Sequence, residues 1–86
     1  MISGTVTAGQ TLTFPVSIPK AGRYVVEVGG SANVLVGLWQ GAANKGNGKL
    51  RVCGVARRGS VDKLSPGNYT ITVQGNTDGD FTVNVR

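Results

Sequence analysis

The sequence predicts an all-β fold: an antiparallel β-sandwich, jelly-roll-like, of roughly seven to eight short strands in a single domain spanning 1–86. Three observations predict it. First, the chain repeats itself. Ile18-Pro19-Lys20-Ala21-Gly22-Arg23-Tyr24-Val25-Val26-Glu27-Val28 is echoed by Leu64-Ser65-Pro66-Gly67-Asn68-Tyr69-Thr70-Ile71-Thr72-Val73. Each copy passes from an apolar residue through Pro and Gly to a Tyr and then a β-branched alternating run. Pro pre-sets φ and Gly permits φ > 0, so the chain reverses and enters a strand. Second, apolar residues alternate with polar ones, and no segment has a helical period. Third, single glycines, 14 of 86 residues, punctuate the apolar runs as turns.

In chain order, Ile2 to Thr7 reads as a short strand and Ala8-Gly9-Gln10 as its turn. Over Thr11 to Ile18, Leu12, Phe14, Val16 and Ile18 share one face, with Thr11, Thr13 and Ser17 on the other. Pro15 lies inside that run, so the strand is expected at a sheet edge or with a bulge, since Pro cannot donate to a ladder. Tyr24 to Val28 follows, with Tyr24, Val26 and Val28 inward, and Gly29-Gly30-Ser31 breaks it. Asn33 to Trp39 is nearly all apolar, which points to burial on both faces or to one face held against a partner. Trp39 ends this run; partial burial in the core is the favoured reading, stacking on a sugar or anchoring a protein contact the sharper one.

Gln40 to Gly48 is the one candidate long loop, read either as a functional loop or as an extended hairpin connection. Lys49 to Ala56 reads as a basic strand and Arg57 to Lys63 as a short strand or turn. Asn68 to Gln74 places Tyr69, Ile71 and Val73 inward. Gly75 to Gly79 turns, and Asp80 to Arg86 closes the chain with Phe81, Val83 and Val85 inward.

Composition narrows function more by exclusion than by assertion. There is no His, so a hydrolytic triad lacks its usual base, and the chain is expected not to be an enzyme. The lone Cys53 cannot form an intramolecular disulfide and reads as a small buried hydrophobe rather than a reactive thiol. Asp78 and Asp80, in Asn76-Thr77-Asp78-Gly79-Asp80, resemble a fragment of a calcium loop, but without a further downstream acid the Asx-turn reading is preferred. No cofactor or metal is expected. No apolar stretch approaches the roughly 20 residues of a membrane span, and because β-type sequence follows Met1 at once, a Sec-exported precursor is not expected.

The net charge is +5, and it is uneven. Lys45, Lys49, Arg51, Arg57, Arg58 and Lys63 fall in one segment whose only acid is Asp62. Such an excess favours an anionic partner, although a solvated face that keeps a small domain soluble reads equally well. The expected binding residues are therefore Trp39, Gln40, Lys45, Lys49, Arg51, Arg57, Arg58 and Lys63.

Gly9-Gln10-Thr11-Leu12-Thr13-Phe14 leading to Pro19, then Gly22 to Val28, Val34-Leu35-Val36, Leu64 to Val73 and Asp80 to Val85 form a pattern that covers most of the chain. It resembles the bacterial pre-peptidase C-terminal domain, a small β-sandwich appended to secreted peptidases and other exported proteins. The family often carries acids in the strand after the double glycine; Asn33-Val34-Leu35-Val36 has none. Two functional classes follow. A short, basic sandwich, expected to be complete and leaderless, is similar in kind to decoration or cement proteins of tailed-phage heads, which sit on capsid proteins. That reading is favoured here: a non-enzymatic virion protein, assembled in the bacterial cytoplasm, multi-copy or homo-oligomeric, bound to an acidic capsid surface. The alternative is an extracellular accessory module of a secreted peptidase or other exported enzyme that binds protein or polysaccharide. A small nucleic-acid binder is a third and weaker reading, which only the charge favours.

Overall fold

A computed structural model of the protein describes residues 1–40, 49–55 and 58–86, with side chains described for 1–40, 59 and 64–86. The described residues form β1 (Ile2–Val6), β2 (Thr11–Ile18), β3 (Gly22–Gly29), β4 (Val34–Gln40), β5 (Lys49–Val55), β6 (Arg58–Leu64), β7 (Gly67–Gly75) and β8 (Gly79–Val85). They make two antiparallel sheets ordered β1-β8-β3-β6 and β2-β7-β4-β5. Successive strands change sheet at every connection except β4 to β5. This interleaving is the strand order of a jelly roll.

Alternation decides what each strand buries. β2 reads exposed and half-buried in strict turn until the buried Ile18. β7 buries Tyr69, Ile71 and Val73, and β8 buries Phe81 and Val83. With Val6, Ile18, Val26, Val28, Val34, Val36, Leu38 and Leu64 these fill the space between the sheets. Phe81 meets the half-buried Phe14 with ring centroids 5.9 Å apart and planes at 53°, a tilted pairing that aromatic quadrupoles favour. No described buried side-chain nitrogen or oxygen lacks a partner.

The two copies of the repeat interlock. Ile18 of the first pairs with Gly67 of the second, and Leu64 of the second pairs with Gly22 of the first. Gly22 and Gly67 have φ of 150° and 143°, a region that side chains with a Cβ rarely enter. Each tyrosine then closes its own corner: the Tyr24 hydroxyl donates to the Lys20 carbonyl at 2.6 Å, and Tyr69 donates to the Ser65 carbonyl at 2.7 Å. Both bonds reach back four residues. Ile18 and Leu64 lie buried beneath the corners. The repeat is thus one structural device used once in each sheet, since β3 and β7 lie in different sheets.

The opposite end is stitched by polar groups from three turns. The Ala8 N–H donates to Asp78 Oδ1 at 2.8 Å, the Ser31 N–H to Asp80 Oδ1 at 2.9 Å, and the Asn33 N–H to Thr77 Oγ1 at 2.8 Å. The Ser31 hydroxyl also donates to Asp80, and the Asp80 N–H donates back to Ser31 Oγ at 3.1 Å. Turns 7–10, 30–33 and 76–79 are held to one another this way. At the chain's end, Arg86 and Val25 exchange backbone hydrogen bonds, and the Arg86 guanidinium meets Glu27 at 2.6 Å.

Candidate binding face

Six of the eight expected binding residues, Trp39, Gln40, Lys49, Arg51, Arg58 and Lys63, fall on β4, β5 and β6. β5 and β6 are the last strands of their sheets, and β4 lies beside β5. Gln40 faces Lys49, and Trp39 faces Leu50 across that ladder, which carries irregularities between Val36 and Gly37 and between Leu38 and Trp39. The backbone of Lys49 and Arg51 in β5 and of Arg58 and Lys63 in β6 is therefore carried on these two edges. Lys45, Arg57 and the 41–48 segment lie outside the described residues, as do the side chains of Lys49, Arg51, Cys53, Arg58 and Lys63. Six of the nine cationic residues and one of the four acids fall between Lys45 and Lys63, so this segment carries the whole net charge of +5 and the rest of the chain is neutral.

Trp39 corrects the expectation of core burial. Val34, Val36 and Leu38 are the buried side chains that β4 gives to the core, and Trp39 belongs to the other parity, with the exposed Leu35 and the buried Gly37. It is half-buried on the outer face of the sheet, where its indole Nε1–H donates to Thr72 Oγ1 at 3.2 Å. Thr72 stands on β7 between the inward Ile71 and Val73, so the bond runs along the outside. Burial on both faces of β4 is likewise overturned: Leu35, two strand steps from Gly37 and four from Trp39, is 38% exposed. Both parities of this run are apolar, Val34, Val36 and Leu38 on one and Leu35 and Trp39 on the other, so the sequence carried no signal for which of them turns inward. Around Trp39 and Leu35 the same face carries Thr11, Thr13 and Ser17 from β2 and Thr70, Thr72 and Gln74 from β7. Among the described residues the outer face thus carries hydroxyls, one amide, Pro15, Leu35 and a single aromatic ring held by one hydrogen bond.

Asp78 and Asp80 are spent differently from a calcium loop. An oxygen of each accepts a backbone N–H from another turn. The Ser31 hydroxyl and then the Ser31 N–H hold the Asp80 carboxyl below the usual carboxylate range, because both bonds favour the ionised form. Asp80 also borders an open hollow lined by Thr5, Val6, Thr7, Gln10 and Gly79. Among the described residues no group of three or more His, Cys, Asp or Glu is placed to hold a metal ion.

No family model matches this chain. No curated protein matches it either. Solved structures do. The chain is similar to the pre-peptidase C-terminal domain of a collagenase from Bacillus anthracis, with TM-score 0.76 and 18% identity over 99% of this chain and 86% of that one. It is also similar to PliG of Aeromonas hydrophila, a periplasmic inhibitor of g-type lysozyme, with TM-score 0.71 and 17% identity over 99% of this chain and 83% of that one. At such identities the likeness is one of fold. The chain has the fold of a pre-peptidase C-terminal domain, as its repeated turn, tyrosine and strand lead one to expect.

Proposed function

We propose that this chain is a non-catalytic accessory binding module of an exported enzyme. It docks a protein partner through the outer face of β2-β7-β4-β5, with the basic β5–β6 flank orienting an acidic surface. The observation that carries the reading is the Trp39 ring, half-buried on the outer, largely polar face of the sheet and oriented by its bond to Thr72. An aromatic whose rotamer is already held loses little entropy on contact, and such residues anchor interfaces. The outer face of a sheet suits a protein surface or an extended polymer better than a small molecule, which needs a cleft. The neighbours support this direction: one is a domain of a collagenase, the other inhibits a lysozyme. The capsid-coating reading would use the same surface, and neither neighbour supports it.

The test measures retention on gelatin, on insoluble cellulose and on purified tailed-phage heads. Retention on gelatin, weakened about tenfold or more by Trp39→Ala with an unchanged circular dichroism spectrum, is the expected result. Arg57→Glu with Arg58→Glu should weaken it further, most at low salt where screening is least. Retention on cellulose alone, on phage heads alone, or untouched by Trp39→Ala would overturn the proposal.

A further inference from the structure

We infer that two copies of this chain associate by antiparallel pairing of β1 with β1, joining their first sheets into one continuous sheet. The evidence is the backbone polarity of the edges. Arg86 exchanges hydrogen bonds with Val25, and the Ala32 N–H donates to the Asp80 carbonyl. The even-numbered residues of β8 thus turn their backbone groups toward β3. In an antiparallel ladder this direction alternates, so Gly79, Phe81 and Val83 turn theirs toward β1. Their partners are Val6, Gly4 and Ile2. Ser3 and Thr5 therefore direct both N–H and C=O away from the sheet, along an edge that no other described strand covers. The next donor in that row, the Thr7 N–H, is already taken by Gln10 Oε1 at 3.1 Å.

The other edges are guarded. In β2 the same alternation applies: Gly75 bonds Gly9 and Gln10, so β7 meets β2 through its odd-numbered residues. With the register Leu12–Val73, Phe14–Ile71 and Val16–Tyr69, Pro15 belongs to the outward row. Its missing N–H costs the ladder nothing and removes a donor from the open edge. β5 contains Lys49 and Arg51, and β6 contains Arg58, Asp62 and Lys63. Charge and Pro on edge strands oppose strand addition. β1, Ile-Ser-Gly-Thr-Val, has neither.

A second copy is the occupant that fits this edge by its own symmetry. With Gly4 facing Gly4 across a two-fold axis, Ser3 of each copy exchanges both hydrogen bonds with Thr5 of the other, and every open group of the edge is used. Gly4 lacks a side chain where the strands come closest, and half-buried Ile2 falls opposite Val6 of the second copy. Asp80 stands beside Thr5 and Thr82 beside Ser3, so no like charges meet. Lys49 and Arg51 belong to β5 in the other sheet, and Arg58 and Lys63 belong to β6, the far edge of the sheet that holds β1, three strand spacings or about 14 Å away. That exceeds the Debye length of about 8 Å at physiological salt, so the net charge does not oppose the approach. One strand pair buries less than a standard interface, which makes the association weak and best seen at high protein concentration.

Sedimentation velocity over a concentration series, together with amide hydrogen exchange, tests this independently of any partner. A reversible dimer is expected, with the Ser3 and Thr5 amides gaining protection as concentration rises. Thr5→Pro, which copies the arrangement of Pro15, should raise the dimer dissociation constant about tenfold or more while leaving the circular dichroism spectrum unchanged. Ser3→Lys serves as a second variant that keeps the N–H and adds like charge near the axis. Its dimer should weaken less at high salt. A chain that stays monomeric at millimolar concentration, or a dimer that both variants leave intact with Ser3 and Thr5 exchanging freely, would overturn the inference.

Discussion

Removing the hydroxyl of Tyr69 should destabilise the fold several times more than removing that of Tyr24, although the two occupy equivalent places in the repeat. Tyr→Phe keeps the ring, so no cavity opens and only the corner hydrogen bond is lost. Tyr69 is 2% exposed, and its 2.7 Å bond to the Ser65 carbonyl is partly sheltered. Losing such a bond costs about 0.5–1.5 kcal/mol net. Tyr24 is half-buried, and its bond to Lys20 lies in an exposed setting where water replaces the hydroxyl. Its loss should cost only a few tenths, about 0.3 kcal/mol. Unfolding entropy near 2.1 cal/mol/K per residue gives about 0.18 kcal/mol/K for a chain of 86 residues. Tyr69→Phe should then lower Tm by about 3–8 °C and Tyr24→Phe by about 1–2 °C. Thermal melts followed by circular dichroism, with urea melts to obtain the free energies, read both. A Tyr24→Phe loss equal to or larger than that of Tyr69→Phe would refute the claim that shelter from water, rather than position in the repeat, sets the strength of the corner.

Phe81→Ala, at a 1% exposed site against Phe14, should cost about 3–5 kcal/mol and leave little of a small domain's stability, whereas Phe81→Leu should cost under about 1.5 kcal/mol; urea midpoints separate them. The Asp80 carboxyl is depressed in the fold, so its contribution is present above the unfolded pKa near 3.9 and is lost as pH falls through the lower folded value. Asp80→Asn keeps an oxygen for the Ser31 donors but removes that titration, so its Tm should fall less steeply than the wild type's below about pH 4, as melts across an acid series will show. Trp39→Phe should shift Tm by less than about 2 °C, since the ring lies on the outer face and loses only its bond to Thr72.

Much of this molecule is legible from its residues alone. Parity along Thr11 to Ile18, Asn68 to Gln74 and Asp80 to Arg86 determined which side chains enter the core, because a strand has a period of two and only one face of each sheet meets the other. Pro15 announced an edge, since a residue without an N–H cannot serve a central strand, and β2 is an edge strand. The twin turn–Tyr units announced two strands of one kind. Their hydroxyl bonds back across each corner, and the exchange of Ile18 with Gly67 and of Leu64 with Gly22, became visible only in three dimensions. Pairing joins residues far apart in the chain, and local propensity carries no information about which strand is the neighbour. Trp39 shows the same division. An apolar run looks alike whether its last ring turns inward or outward, and the register of β4 against β7 is what sets that ring beside Thr72 on the exposed face. Strand order likewise decided that β5 and β6, with Lys49, Arg51, Arg58 and Lys63, lie at one edge of their sheets and the uncharged β1 at the opposite edge of its own. Charge can be counted from a sequence, but the distance between charges belongs to the fold.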